Sequence, residues 1–519
     1  MPDGRSWVLD PTGWKGLPPE LAGALESVGV VTHGAKEFLV WLARGFGCGP
    51  QNVWCTRSAA RVLWMGDPRG DGLHDLLADC LGIPRDTSAP EIDWGSLFLG
   101  AGETASVADE AARVLALRDW QVRATKAAGL EAVCRLEMDL IPVVAGMELA
   151  GLPAEATALR AAESAAQSAM AECEAAFRSR AGRASLNLSS PKQVLAALQS
   201  AGLKISDTNE QTLLAVGDAG LVGPLLAFRG HQKIAQLAAG LRAAIRADGR
   251  IHARFDPLGT DTGRFSCDSP NLQNIPHGPL RAAITAPPGS VFVRADYSQI
   301  ELRAVAALAG DPEMLGAFHR GDDLHRATAA AILGKPAAMV TPSDRQLAKS
   351  VNFGLIYGQG AEGLVRSARQ RFGVELTVEE AMKFRDRFFA HYAQIARWHS
   401  RALRMAGEGA PETRTALGRR RLIPGGANRW GRFTALVNAP VQGGSADGMK
   451  AAMVALAKEL PPQARIVCTI HDELVAECPE SIAEAVAETL AVTMRRGMQD
   501  LYPDVPIVVE TSAGRSWEG

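Results

Sequence analysis

One stretch constrains this chain more than any other: Val291 to Arg303, where a strand pattern runs directly into a helix pattern with a carboxylate at the joint. Val291 to Ala295 is a short run of apolar and β-branched residues, the pattern of a buried strand. Ser298 then opens a helix with Ile300, Leu302, Val305, Ala306 and Leu308 mostly on one face. Asp296 falls between them, where a side chain projects from a rigid scaffold. The stretch has a plain structural reading, because Ser298-x-x-Glu301 fits a capping box and Asp is common before helices. It also has a chemical one, because a second acidic pair occurs far along the chain at His471-Asp472-Glu473. There Ala464 to Ile470 reads as a strand, His471-Asp472 as a tight turn and Glu473 to Glu477 as the returning strand. A carboxylate at a strand end and two at a hairpin turn can meet at the edge of one sheet.

With 519 residues the chain is too long for a single core and predicts two or more domains. No run of eighteen apolar residues occurs and the N-terminus lacks a signal-peptide pattern, so a soluble intracellular protein is expected, with no membrane partner. The eight cysteines never form C-x-x-C and have no clustered His, which points to free thiols in a reducing compartment. A net charge of −2 argues against a general nucleic-acid coat but not against a local basic cleft. Arginines 401, 404, 414, 419, 420, 421, 429 and 432 face only Glu408 and Glu412 in the same stretch, and phosphate contact is the reading adopted for that run.

Along the chain, residues 1 to about 120 are rich in Trp and Gly, with short helices over Gly34–Arg44 and Leu73–Gly82 and a strand-to-helix passage over Asn52–Leu63. Long helices are predicted over Glu131–Leu152, with Pro142 as a possible bend, and Leu221–Ile245, the latter carrying Arg229 and Lys233 four apart. Thr260–Ser266 and Asp268–Pro276 are dense in Gly, Pro and side-chain amides and must be loop. Residues 378–405, Ala435–Leu456 and Ile482–Leu501 read as helices, and Ile507–Glu510 as a last strand. Arg345, Lys349, Phe353 and Tyr357 are each four apart. At about 100° per residue each step drifts by about 40°, so they share one side of a helix. Two cations and two aromatics in line suit a triphosphate at one end and a base at the other. The plainer alternative is an exposed basic helix start with a core-facing end.

Carboxylates about 4 Å apart repel by roughly 4 kcal/mol at an effective dielectric of 20, so the acidic pair needs cations. Oxygen-only ligands suit Mg²⁺, and two such ions can clamp the attacking and leaving oxygens of phosphoryl transfer. These segments together resemble family A DNA polymerases, the bacterial DNA polymerase I type. Asp296-Tyr-Ser-Gln-Ile-Glu-Leu-Arg303 is similar to motif A, Arg345…Lys349…Asn352-Phe353-Gly354…Tyr357-Gly358 to motif B, and His471-Asp472-Glu473 to motif C. Thr262-Gly-Arg264-Phe-Ser266, Asn271–Pro276, Leu417–Arg421 and Asn438-Ala-Pro-Val-Gln442 extend the likeness over residues 130 to 519.

The resemblance implies metal ligation by Asp296 and Asp472, with Glu473 close by as a further catalytic carboxylate and the backbone of Tyr297 assisting. It implies two Mg²⁺ ions, with Mn²⁺ as a substitute. Arg345, Lys349, Gln299 and His325 would hold the incoming dNTP, Phe353 would lie against its sugar, and Tyr357 beside the templating position. Glu301 resembles the gate that excludes a 2′-hydroxyl, which argues against the rival reading of a single-subunit RNA polymerase. Arg264, Asn271, Gln273, Asn438, Gln442 and His471 would hold primer–template DNA near the terminal pair, and Arg229 and Lys233 would hold it farther back. A catalytically dead DNA-binding remnant is disfavoured, because the two Asp and the Arg345–Lys349 pair are all present.

The expected fold is α+β and multidomain: a right hand with an antiparallel palm sheet (about 250–335 and 425–519), a helical thumb (about 155–250) and helical fingers (about 336–424), all within 121–519. A shortened α/β region over 1–120 resembles a 3′–5′ exonuclease that has lost its metal ligands. Gly34 stands where that family has Asn, Phe38 where it has an acidic ligand, and Ala105 where it has Tyr; Asp10 is a poor first-motif ligand and Asp109 persists alone. Proofreading is therefore not expected, nor is a 5′-nuclease, for which no residues precede Met1. Thr434 occupies the usual place of a template-contacting Arg, with Arg432 as a substitute. The working protein is expected to be a monomer in the cytoplasm of a bacterium or a phage-infected host.

Overall fold

The computed structural model describes residues 16–85, 104–216 and 220–519, so the Asp10 region lies outside the described residues. Helices and an antiparallel sheet make up the molecule, and the α+β expectation holds.

The N-terminal region is built on a βαβ unit. β1 (Val30–Thr32) pairs in parallel with β2 (Val53–Cys55), and α1 (Ala35–Phe46) crosses between them. Gly34 turns the chain into α1 at φ +85°, a left-handed conformation that a Cβ-bearing residue adopts only with strain. β2 runs straight into α2 (Thr56–Leu63), as its sequence pattern predicts. Behind them lie α3 (Thr104–Ala127) and α4 (Glu131–Ala150). α4 is a seam between two cores. Val133, Cys134, Met138 and Ile141 pack on the βαβ unit, whereas Leu140, Val144 and Met147 join the main core.

α5 (Ala156–Ala181) and α6 (Val222–Ala244) form a long antiparallel pair whose far end encloses its own small core around Phe177, Leu198, Leu225 and Phe228. The chain then enters the central sheet with β3 (Ser290–Tyr297) and leaves it by α7 (Ile300–Ala309). The strand carries through Asp296 and Tyr297, and the helix starts at Ile300 rather than Ser298. Its N-cap, Gln299, has no side-chain cap bond, so the capping-box reading of Ser298 and Glu301 is corrected.

A helical layer follows, with α8 (Leu324–Leu333), α9 (Pro342–Ile356) and α10 (Ala393–Gly407). The expected single helix over 378–405 is two, Val378–His391 and Ala393–Gly407, broken at Tyr392. A small hairpin, β4 (Glu412–Arg414) and β5 (Arg420–Leu422), leads to α11 (Arg429–Glu459), a 31-residue helix that absorbs Pro440. β6 (Arg465–Ile470), β7 (Glu473–Pro479), α12 (Ala483–Gln499) and β8 (Val509–Gly514) complete the chain. The sheet order is β6-β7-β3-β8, antiparallel throughout, with α12 against it and α11 packed on α12. Among the described residues no helix is long and apolar enough to cross a membrane.

Candidate active site

The central strand positions the acidic cluster. In the β3–β7 register Glu473 lies opposite Asp296, and the Tyr297 amide donates to the Asp472 carbonyl at 3.2 Å. Asp296 and Asp472 are thus neighbours at the end of one strand pair. Two non-glycine residues in the left-handed region flank them, His471 at φ +51° and Gln299 at φ +56°. Such backbone is costly and persists where the surrounding fold over-determines it, which is common at working sites.

Asp296 opens onto the cleft, yet its carboxyl is crowded. Lost hydration, then the charges of Asp472, Glu473 and Glu510, push it up to about 7. Burial pushes Asp472 up to about 6, with Glu301 acting the same way and Arg264 against it. Glu510, opposite Asp296 on β8, was not foreseen; only the strand register brings it there. Two crowded carboxylates with oxygen-only chemistry fit a hard divalent cation, whose charge would reverse both shifts. Among the described residues no three His, Cys, Asp or Glu side chains form a metal-binding group. The Tyr297 side chain is buried and donates to the Met494 carbonyl at 2.6 Å, leaving its backbone as the group it could contribute.

Glu473 lies close to Asp296 as expected, but its carboxylate is engaged. One of its oxygens accepts from Arg281 Nη1 at 3.0 Å and the other from Trp517 Nε1 at 3.1 Å, while Arg281 itself stacks on Trp517. Both oxygens are therefore engaged, and Glu473 braces the hairpin turn instead of offering a free carboxylate. Neither Arg281 nor Trp517 carries a sequence signal for this, because their partners are remote in the chain.

Above the carboxylates, Glu301 accepts from Arg264 and from the Tyr357 hydroxyl. This trio joins the motif-A helix, the Thr260–Ser266 loop and the end of α9. A cavity of about 300 Å³ lies here, lined by Arg264, Gln299, Glu301, Phe353, His471 and Asp472. Gln299 Oε1 is buried without a partner. Gln273 joins Arg264, His471 and Asp472 around a smaller space beside it.

On α9 the Arg345, Lys349 and Phe353 positions follow one another as predicted, but Tyr357 is the residue after the helix, at φ −88° and ψ 14°. Arg345 donates to Asp323 at 2.6 Å, whereas Lys349 has no carboxylate partner among the described residues. Thr328 donates to the Asn352 carbonyl oxygen, so the Asn352 amide donates to His325 Nδ1 at 2.9 Å. That fixes a neutral imidazole with its proton on Nε2. Burial, then Arg345, lowers His325 to about 4, so it is no cation for phosphate.

The remaining expected residues are spread more widely. Asn271 caps the short turn Leu272–Asn274 by accepting from the Gln273 amide. Asn438 and Gln442 sit one turn apart on α11, and Asn438 Oδ1 is buried without a partner. On α6 Lys233 is exposed, but the Arg229 guanidinium is held by Thr208.

The arginine-rich run divides in two. Arg419 is 2% exposed and bridges Asp447 and Glu137, Arg414 and Arg420 pair with Glu412, and Arg421 pairs with Asp261. For the buried Arg419 the phosphate reading is corrected, because Glu137 and Asp447 from other parts of the chain hold its guanidinium; Arg414, Arg420 and Arg421 are in partly exposed ion pairs. Arg401, Arg404, Arg429 and Arg432 have no carboxylate partner among the described residues.

Comparison with known proteins accounts for the arrangement. The sequence model of DNA polymerase family A matches residues 156–519. DNA polymerase I of Aquifex aeolicus is 33% identical over 99% of this chain and 92% of its own length. DNA polymerase I of Pseudomonas aeruginosa is 38% identical over 74% of this chain, which spans 44% of that protein. The solved POL domain of Pol1 from M. smegmatis, in complex with DNA primer-template and dNTP, superposes with a TM-score of 0.83 at 29% identity, over 97% of this chain and 90% of that one. With that match running through the strand that carries Asp296, the hairpin that carries Asp472 and the helix between them, the chain belongs to DNA polymerase family A.

Proposed function

We propose that the cleft over β3 and β7 is where this family A DNA polymerase adds dNTPs to the 3′ end of a primer paired to a template. The observation that carries the site assignment is the pairing of Asp296 and Asp472 at one sheet edge, both carboxyls raised by crowding, below a cavity that Lys349's helix overlooks. Divalent cations held by these two carboxylates, Mg²⁺ in the cell and Mn²⁺ as a substitute, would neutralise charge on the transferring phosphoryl group. Lys349 is free to pair with the triphosphate, and Arg345 can exchange Asp323 for it. His325 would donate a neutral hydrogen bond from Nε2, and Phe353, with its ring centroid 6.0 Å from that of His325, would pack the sugar. Glu301, fixed by Arg264 and Tyr357, would fill the space a 2′-hydroxyl needs.

The reading of a thumb over about 155–250, fingers over about 336–424 and a palm between and after them is supported by the two-helix projection of α5 and α6, the helical layer and the sheet. We further infer that the βαβ region lacks proofreading and serves as a platform. Phe38 lies on α1 where a ligand is needed, and Asp109 is exposed on α3. Lys36 ties the region to α4 through Glu148 and to the palm through the Phe255 carbonyl, both at 2.8 Å. A primer-extension assay with each dNTP withheld in turn tests the central assignment. Extension by Asp296→Ala or Asp472→Ala near the wild-type rate would overturn it.

A further inference from the structure

Trp430 is 52% exposed at the start of α11, an unusual place for so large an apolar surface. Its ring lies against Phe433 at 5.0 Å between centroids. Phe433 is buried, and Gly358 lets it approach: at φ +81°, a Cβ there would come within 2.4 Å of the ring. Gly358 follows Tyr357, so Trp430 stands one aromatic layer beyond the residue assigned to the templating position. His399 locks the same layer by donating from Nε2 to the Ile356 carbonyl at 3.0 Å and packing edge-on to Phe433.

The charge around Trp430 is mostly basic, with the exposed Glu408 at the end of α10 as the nearby carboxylate. Arg397, Arg401 and Arg404 follow at helical spacing on the exposed face of α10, and none has a carboxylate partner among the described residues. Arg429 is next to Trp430 and reaches the end of α10, donating to the Leu403 carbonyl at 3.5 Å. A solvated helix face ordinarily carries both signs; here four arginines accompany an exposed indole.

We propose that Trp430 is a stacking platform for unpaired bases of the template strand ahead of synthesis, with Arg397, Arg401, Arg404 and Arg429 tracking its phosphates. The proposal rests on the polymerase reading above. Its occupant follows from position and charge: the template must arrive unpaired at Tyr357, it is a polyanion, and every base offers a face to an indole.

The test compares Kd for two primer–templates, one with a single-nucleotide 5′ template overhang and one with an eight-nucleotide overhang. Extension of the short-overhang substrate by the wild-type protein establishes the polymerase reading separately; without it, that reading fails first. The wild type should bind the long overhang more tightly, and Trp430→Ala should reduce that preference by about fivefold or more. Arg401→Gln with Arg404→Gln, on an exposed face, should also reduce it and make long-overhang binding less salt-dependent. Should Trp430→Ala fail to fold, the arginine pair decides alone. A wild-type preference near one, or a preference unchanged in the variants, would overturn the proposal and point the patch toward a protein partner or the displaced strand.

Discussion

At the residue scale, the site is a set of groups whose surroundings decide what they can do. Asp296 and Asp472 lie side by side, and on the proposed reading replacing either by Ala removes one of the two carboxylates that would hold the cations. Nucleotide addition should fall by at least about a hundredfold, with primer–template Kd changing little, as read by single-turnover extension alongside a binding assay. Glu301 is fixed from two sides. Glu301→Ala opens the cavity wall and frees both Arg264 and Tyr357, so the ratio of ribonucleotide to deoxynucleotide incorporation should rise. Phe353→Tyr should ease use of 2′,3′-dideoxynucleotides by supplying a hydroxyl near the sugar. Competition between the nucleotide pairs reads both effects, and unchanged ratios in both variants would exclude these residues from sugar choice.

At the element scale, α4 and α11 are joined by charges in a place where charge is expensive. Glu137 accepts from Lys450 and Arg419, Asp447 accepts from Arg419 and Thr415, and all four charged residues are at most 2% exposed. Burial and then the Arg419 charge lower Lys450 to about 8, so Glu137 is what keeps it protonated at neutral pH. Removing one partner strands the rest. Glu137→Gln should cost about 3–5 kcal/mol in unfolding free energy, measured by urea titration. A cost below about 1 kcal/mol would show that water reaches the network. Because α11 carries Asn438 and Gln442, the same variant should loosen DNA binding before it affects the carboxylates.

At the scale of the whole molecule, the N-terminal region buries one neutral imidazole and the helical layer two. Burial, as the leading cause in each, lowers His33 to about 3 and His325 and His399 to about 4, all from 6.5. A depressed folded value means the unfolded chain takes the proton first. The stabilising effect is complete above pH 6.5 and is lost as pH falls toward the folded values, at up to about 1.4 kcal/mol per unit and per group. Asp296 and Asp472, raised to about 7 and about 6, work the opposite way as pH falls, so the test is differential. His33→Gln should lose less of its urea midpoint between pH 7 and pH 5 than the wild type, and an equal loss would refute the role of His33. The platform reading of the N-terminal region makes one more prediction. With Mg²⁺ and a mismatched, end-labelled primer but no dNTPs, the primer should keep its length. Shortening by a nuclease-free preparation would overturn the loss of proofreading.

Much of this protein was legible in its sequence. Local periodicity and turn chemistry marked α2, α4, α6 and the β6–β7 hairpin to within a few residues, because each buries a continuous apolar face and ends at its own stop signals. The residues of the three motifs around Asp296, Arg345–Tyr357 and His471–Glu473, with the further segments between 262 and 442, carried the resemblance to a polymerase family. What the sequence could not decide were the partners. Glu473 looks as available as Asp472 on paper, and only the packing of Arg281 and Trp517 engages both its oxygens. Arg419 and Arg401 belong to one basic run, yet one is buried against Glu137, hundreds of residues earlier, and the other stands in solvent. Glu301 fits a helix cap by spacing, but a left-handed Gln299 turns the chain so that its carboxylate meets Arg264 and Tyr357 instead. A side chain's type and local conformation follow from its neighbours in sequence; its charge state and its bonds follow from neighbours in space, which only the tertiary structure assembles.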